Sequence, residues 1–139
     1  MSTSTEHRDV VLSIDAPRSR PSALQHHRLE DMKGGWFIGD FAPAAMRCAG
    51  AEVAVKHVRA GTHEPLHEHR LATEATVVVA GRIRIGGEEW RTGDIIVVLP
   101  HTKTDFTAIT DAVLVVVKTP SVIGDKYAVA LAPDQVGLG

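Results

Sequence analysis

From Glu52 onward, apolar and polar positions alternate in short runs rather than at helical spacing, and turn residues separate the runs. Glu52-Val53-Ala54-Val55-Lys56-His57-Val58 alternates incompletely, Thr76 to Ala80 is a compact run rich in β-branched residues, and Arg82-Ile83-Arg84-Ile85 alternates fully. A period of two sends successive side chains to opposite faces, so each run predicts a short strand with one buried face. Gly86-Gly87 turns the chain back into Glu88 to Arg91, and Gly93-Asp94 turns it into Ile95 to Leu99. Phe106 to Ile109 and Ala112 to Lys118 supply two more strands. The pattern predicts an all-β sandwich or small barrel.

The N-terminal part is less regular. Residues 1–22 read as a flexible segment with one short strand at Val10 to Ile14, followed by the break Ala-Pro-Arg-Ser-Arg-Pro-Ser. Gln25 to Lys33 suits a helical turn or an irregular approach, and Gly34-Gly35 prepares the apolar edge Trp36-Phe37-Ile38. Residues 23–139 form a single domain whose core spans about 52–118.

Composition narrows the class. The 139 residues, 44% of them apolar, suffice for one sizeable core and not for two independent domains. A formal charge of −2, with acidic and basic residues mixed along the chain, gives no basic field, so nucleic acid is not the expected partner. No apolar run reaches membrane-spanning length, and the expectation is no membrane partner and a cytoplasmic location. Cys48 is the only cysteine, which excludes an internal disulfide and paired-thiol zinc sites; as a small core residue it receives no catalytic role.

Candidate chemistry concentrates in Gly61 to Gly81, GTHEPLHEHRLATEATVVVAG. On an extended strand His67 and His69 point the same way and could hold one ion or bracket one ligand, with Glu74 entering from the next strand. Two imidazoles and a carboxylate suit an open-sided Fe(II), Mn(II) or Zn(II) site with positions free for water or substrate. The bland alternative is a solvated polar loop. Whether His57, His63 or His101 joins the site stays open at this level, and Trp36, Phe37, Phe41 and Trp90 read first as packing or subunit-interface anchors. Val77 and Val79 facing outward, together with Trp36-Phe37-Ile38, predict a homodimer.

The spacing of Gly61, His67, His69, Glu74 and Gly81 resembles the first conserved motif of the cupin superfamily, G-x5-H-x-H-x4-E-x6-G, at every specified position. The stretch GDIIVVLPHTKTDF is similar to the second motif in part. Gly93, Asp94, Pro100 and Phe106 fit, whereas His101 stands near an expected glycine and Thr104 near an expected histidine. The segments WFIGDF and KTPSVIGDKY look like those of small bacterial monocupins. The resemblance implies an RmlC-like, cupin-type double-stranded β-helix, a jelly-roll barrel of two antiparallel sheets. It also implies a divalent metal held by His67, His69 and Glu74, with Thr104 able to orient water in place of a fourth ligand.

Three functions follow from this combination. The preferred one is a metal-dependent enzyme doing isomerase, lyase or oxygenase chemistry on an oxygen-rich carbonyl or sugar-like small molecule. In it Glu74 ligates or acts as base, and His67, His69 and Thr104 complete the catalytic set. The alternatives are a metal-free epimerase or isomerase with a histidine base, and a non-catalytic cupin that binds a sugar-like ligand.

Overall fold

A computed structural model describes residues 23–130. The expected strand at Val10 to Ile14 and the flexible stretch 1–22 lie outside the described residues. A 3-10 turn, Leu29–Asp31, lies within the stretch read as a helical turn or irregular approach, and a second, Lys33–Gly35, begins at its end. Eleven strands follow among the described residues: β1 Trp36–Gly39, β2 Met46–Arg47, β3 Glu52–Val58, β4 His63–Glu68, β5 Thr73–Ala80, β6 Arg82–Ile85, β7 Glu88–Arg91, β8 Ile95–Val98, β9 Thr104–Ala108, β10 Ala112–Thr119 and β11 Tyr127–Ala128.

The strands form two sheets. One has the order β2-β1-β3-β10-β5-β8 and the other β11-β4-β9-β6-β7. Every pairing is antiparallel except the short β1–β2 contact. Consecutive strands β3 and β4, β5 and β6, and β8 and β9 lie in different sheets, the crossing pattern of a double-stranded β-helix. The jelly-roll expectation therefore holds.

Period-two alternation is cleanest on β10, where Ala112, Leu114 and Val116 are buried between half-exposed valines. They join Val78 of β5, Ile83 and Ile85 of β6 and Ile96 of β8 in one apolar cluster, closed by Trp90 and Phe106. Ile83 and Val78 are fully buried, and removing each such side chain from water contributes about 2–3 kcal/mol. Gly81 shows why the β5–β6 crossing needs glycine. Its φ is +98°, and a Cβ there would stand 2.4 Å from the Asp111 carbonyl oxygen.

The first sheet presents an outer face that is nearly free of charge. Val79, Ile95, Val97 and Leu99 are about half exposed or more, beside partly exposed Val77, Val113, Val115 and Val117. Trp36 is not part of it. That side chain turns inward against the core cluster, because Trp36 pairs with Ala54, a fully buried inward position of β3.

Candidate functional site

The apolar cluster fills one end of the barrel. Toward the other end the inward positions change character along the same strands: Leu114 and Val116 lead to Lys118 on β10, Val78 and Thr76 to Glu74 on β5, and Val58 to Lys56 on β3. Glu74 sits opposite Lys118 on one side and Val98 on the other. From the second sheet, His67 stands directly across from Thr104. The result is a narrow cavity of about 70 Å³ lined by His67, His69, Glu74, Thr76, Thr104 and Lys118, among others.

Two positions depart from strict alternation. Strict alternation would put Glu64 and His67 on opposite faces, yet both line the cavity. The β4–β9 register shifts between Glu64 and His67, a bulge beside Pro65, which has no N–H to give the ladder. Asp105, which alternation would turn away from the face of Thr104, also contributes to the cavity wall, next to that irregular stretch.

His69 is the most tightly specified group of the site. It is buried, and its Nδ1 lies 2.5 Å from the Asp125 carbonyl oxygen. A carbonyl only accepts, so Nδ1 carries the proton and donates; the neutral ring then has its lone pair on Nε2. Nε2 is 3.2 Å from Glu74 Oε2 without hydrogen-bond geometry, and it is a buried polar atom lacking a hydrogen-bond partner. A bare lone pair facing a carboxylate is repulsive. A cation between them, a proton or a metal ion, removes that repulsion.

Asp125 fixes this arrangement from outside the cavity. Its carboxylate accepts the backbone N–H groups of Arg70, Leu71 and Ala72, which clamps the turn between His69 and β5. The His101 N–H donates to the His69 carbonyl at 2.7 Å, a second brace on the same residue. His67 is less constrained. Its Nδ1 donates to the Pro65 carbonyl at 2.9 Å, leaving Nε2 as its free nitrogen, and its ring stands edge-on to His69 with centroids 5.4 Å apart.

The electrostatics reinforce a charged pair. Burial pushes the Glu74 carboxyl up, but His69 and Lys118 outweigh it and hold the group below the ordinary carboxylate range. Contact with Glu74 raises the His69 pKa against the opposing effect of burial. Lys118 Nζ is 3.9 Å from Glu74 Oε2, and burial lowers its pKa despite that neighbour. Among the described residues no three His, Cys, Asp or Glu side chains converge closely enough to hold a metal ion as they stand. His67, His69 and Glu74 share the cavity; His69 meets Glu74 through Nε2 and His67 through the ring edge.

The remaining candidates are placed elsewhere. His57 is exposed on the outer face of β3, and His63 is exposed and bonded to the Thr107 hydroxyl. His101 is exposed, with a positive φ of 65°, and does not line the cavity. Cys48 is half-buried outside it. Reading the sequence for histidines missed Lys56, Lys118 and Asp125. The first two were detectable by counting in twos from Ala54 and from Leu114 and Val116; nothing local to Asp125 marks its role.

No protein-family model and no curated protein sequence matches the chain. Solved structures do match in shape. A double-stranded β-helix protein from Klebsiella pneumoniae aligns with a TM-score of 0.57 at 15% identity, covering 81% of this chain and 98% of that one. An RmlC-like cupin from Shewanella frigidimarina aligns at 0.50 and 20% identity, over 54% and 70% of the two chains. The Escherichia coli pirin YhhW, in complex with nickel(II), aligns at 0.53 and 16% identity, over 63% and 39%. At these identities the likeness concerns the fold.

Proposed function

We propose, from the premise that this chain carries an RmlC-like cupin domain, that the open end of its barrel is a metal-dependent active site for a small oxygen-rich carbonyl or sugar-like molecule. One observation carries the reading: the buried, unpartnered Nε2 of His69, aimed at the Glu74 carboxylate with its tautomer set by Asp125. That is the arrangement of a histidine ligand with an oriented second nitrogen. His67, His69 and Glu74 would hold the ion, and two imidazoles with one carboxylate suit Fe(II), Mn(II) or Zn(II). The nickel held by the pirin neighbour supports only the coarser point that this fold accommodates a divalent metal.

When bound, the metal would supply Lewis-acid polarisation of a substrate oxygen, chemistry compatible with isomerase, lyase or oxygenase turnover. The chain's own residues orient and exclude. Ile85, Val98 and Phe106 wall the cavity and keep water from its floor, and Thr104, across from His67, offers a hydroxyl to position substrate or water. Metal content of protein purified without an affinity metal, followed by titration of His67→Ala, His69→Ala and Glu74→Gln, tests the assignment. Retained affinity in both histidine variants would overturn it.

The same contact favours a second reading, in which a proton takes the place of the metal and His69 with Glu74 performs acid–base chemistry. Turnover that survives chelation would select it. Tight ligand binding without turnover in either state would leave a non-catalytic binding protein.

The nearly charge-free outer face of the first sheet supports a homodimer. A two-fold interface places the same patch on both partners, and a patch without charges meets its own copy without repulsion. The valines of β5 and β10, with Ile95, Val97 and Leu99, would be the buried surface. Light scattering should give twice the chain mass at micromolar concentration, and Val97→Lys should give the monomer. A monomeric wild type would reject the assignment.

A further inference from the structure

Lysine at an inward position of a barrel strand is costly unless something pairs with it. Lys56 and Lys118 both occupy such positions, and neither ammonium makes a hydrogen bond among the described residues. Lys118 has Glu74 at 3.9 Å as its nearest carboxylate, although Glu52 flanks it in register on the other side. Both ammonium groups lie over the ring of Trp36, at 5.2 Å and 4.9 Å from its centroid. Cation–π contact offsets part of the desolvation and leaves the N–H donors unused.

Those donors border a second, wider space. Outside the narrow cavity lies a chamber of about 480 Å³ that shares Trp36, Lys56, His69, Lys118 and Lys126 with it. Lys33 adds a fourth ammonium to its wall, and Phe41 and Pro43 add apolar surface. Two carboxylates, Glu52 and Asp125, face those four ammonium groups, and both spend hydrogen-bond capacity on the backbone. Glu52 accepts the Val122 N–H, and Asp125 accepts three backbone N–H groups. Lys126 is paired with Glu64 at 3.3 Å. The chamber therefore presents cationic donors in excess of the acceptors that face them.

We infer that this chamber binds the anionic end of a small molecule, a carboxylate or a phosphate ester, between Lys56 and Lys118, while the rest of the molecule extends toward His67, His69 and Glu74. The last clause rests on the function proposed above. The anion site itself does not. A free carboxylate or phosphate accepts charge-assisted hydrogen bonds from both ammonium groups, and its carbon skeleton lies along Trp36, Phe41 and Pro43.

Calorimetric titration of chelator-treated full-length protein at low ionic strength, with glutarate, its uncharged diamide and inorganic phosphate as probes, tests the anion site. Glutarate should bind about tenfold or more tightly than the diamide, the size of one charge-assisted hydrogen bond. Lys56→Met and Lys118→Met retain the side-chain stem and should each remove most of that preference. Lys126→Gln, exposed and already paired, should remove less. Phosphate that displaces glutarate would assign the site to phosphate esters, and phosphate that does not would assign it to carboxylates. Equal binding of acid and diamide, absence of binding by all three, or an acid preference intact in folded Lys56→Met and Lys118→Met would overturn the inference. His67→Ala separates the two proposals: it should abolish metal binding and leave the acid preference of the metal-free protein in place.

Discussion

The two ends of the barrel are built from the same strands and do opposite work. At the closed end Val78, Ile83, Ile96 and Leu114 meet without a polar atom to satisfy, and their contribution is burial. At the open end, beyond Thr76 and Val116, the inward positions on β5 and β10 carry Glu74 and Lys118, beside His67 and His69. Those groups lose hydration and regain it incompletely, as the unpartnered Nε2 of His69 shows. Stability is thus concentrated at one end, and the unsatisfied polar chemistry at the other.

The largest expected effect lies at the closed end. Ile83→Ala removes a fully buried side chain from the centre of the cluster and should cost about 4 kcal/mol, near the upper part of the range for such deletions. Metal affinity per folded molecule should not change. Chemical denaturation combined with metal titration checks both parts, and a drop in affinity without loss of stability would break the contrast between the ends.

Asp125 is where the contrast should blur, because it is structural and yet sets His69. Asp125→Ala strands the N–H groups of Arg70, Leu71 and Ala72 and should cost about 2–3 kcal/mol. It should also weaken metal binding by loosening the turn that follows His69. Acid should act on the same group. Burial raises the Asp125 pKa, but the three N–H donors lower it more, so the folded value lies below the ordinary one. Its stabilisation is therefore complete above the unfolded pKa, about 4, and is lost as pH falls through the depressed folded value. Comparing wild type with Asp125→Asn across acid pH should show the stability difference shrinking as pH falls. A constant difference would remove Asp125 from the acid response.

Glu74→Gln acts at the open end alone. The amide keeps the size and removes the charge that faces His69 Nε2, so divalent-metal affinity should fall by about a hundredfold or more. The fold should persist, since the closed end is untouched. Near-UV circular dichroism and metal titration on the same sample would show a native spectrum with weakened binding. A native spectrum with unchanged affinity would sink the ligand role of Glu74.

Much of this division was legible in the sequence. Alternation over Glu52 to Val58 and Arg82 to Ile85 marked β3 and β6 residue for residue, and the spaced histidines and glutamate marked the cavity they share. What escaped had two physical sources. The bulge at β4 breaks the period of two, so parity alone could not bring Glu64 to the face of His67. Asp125 acts through a long-range contact, 56 positions from His69, and such closures depend on the whole fold rather than on local pattern. Lys118 was missed for a simpler reason. An inward-facing lysine reads as the end of an apolar run until the run is counted in twos.

The smallest effect separates ligation from positioning. Thr104 stands across from His67 on β9, with a hydroxyl and no imidazole, so Thr104→Val should leave metal affinity within about twofold, the scatter expected where no ligand is lost. Stability should move by less than about 1 kcal/mol, since the valine is nearly isosteric and the position is only half-buried. If the hydroxyl positions substrate or water, turnover falls while the metal stays bound. Full loss of metal from Thr104→Val would make the hydroxyl a ligand and would move the boundary between the polar and apolar ends across to β9.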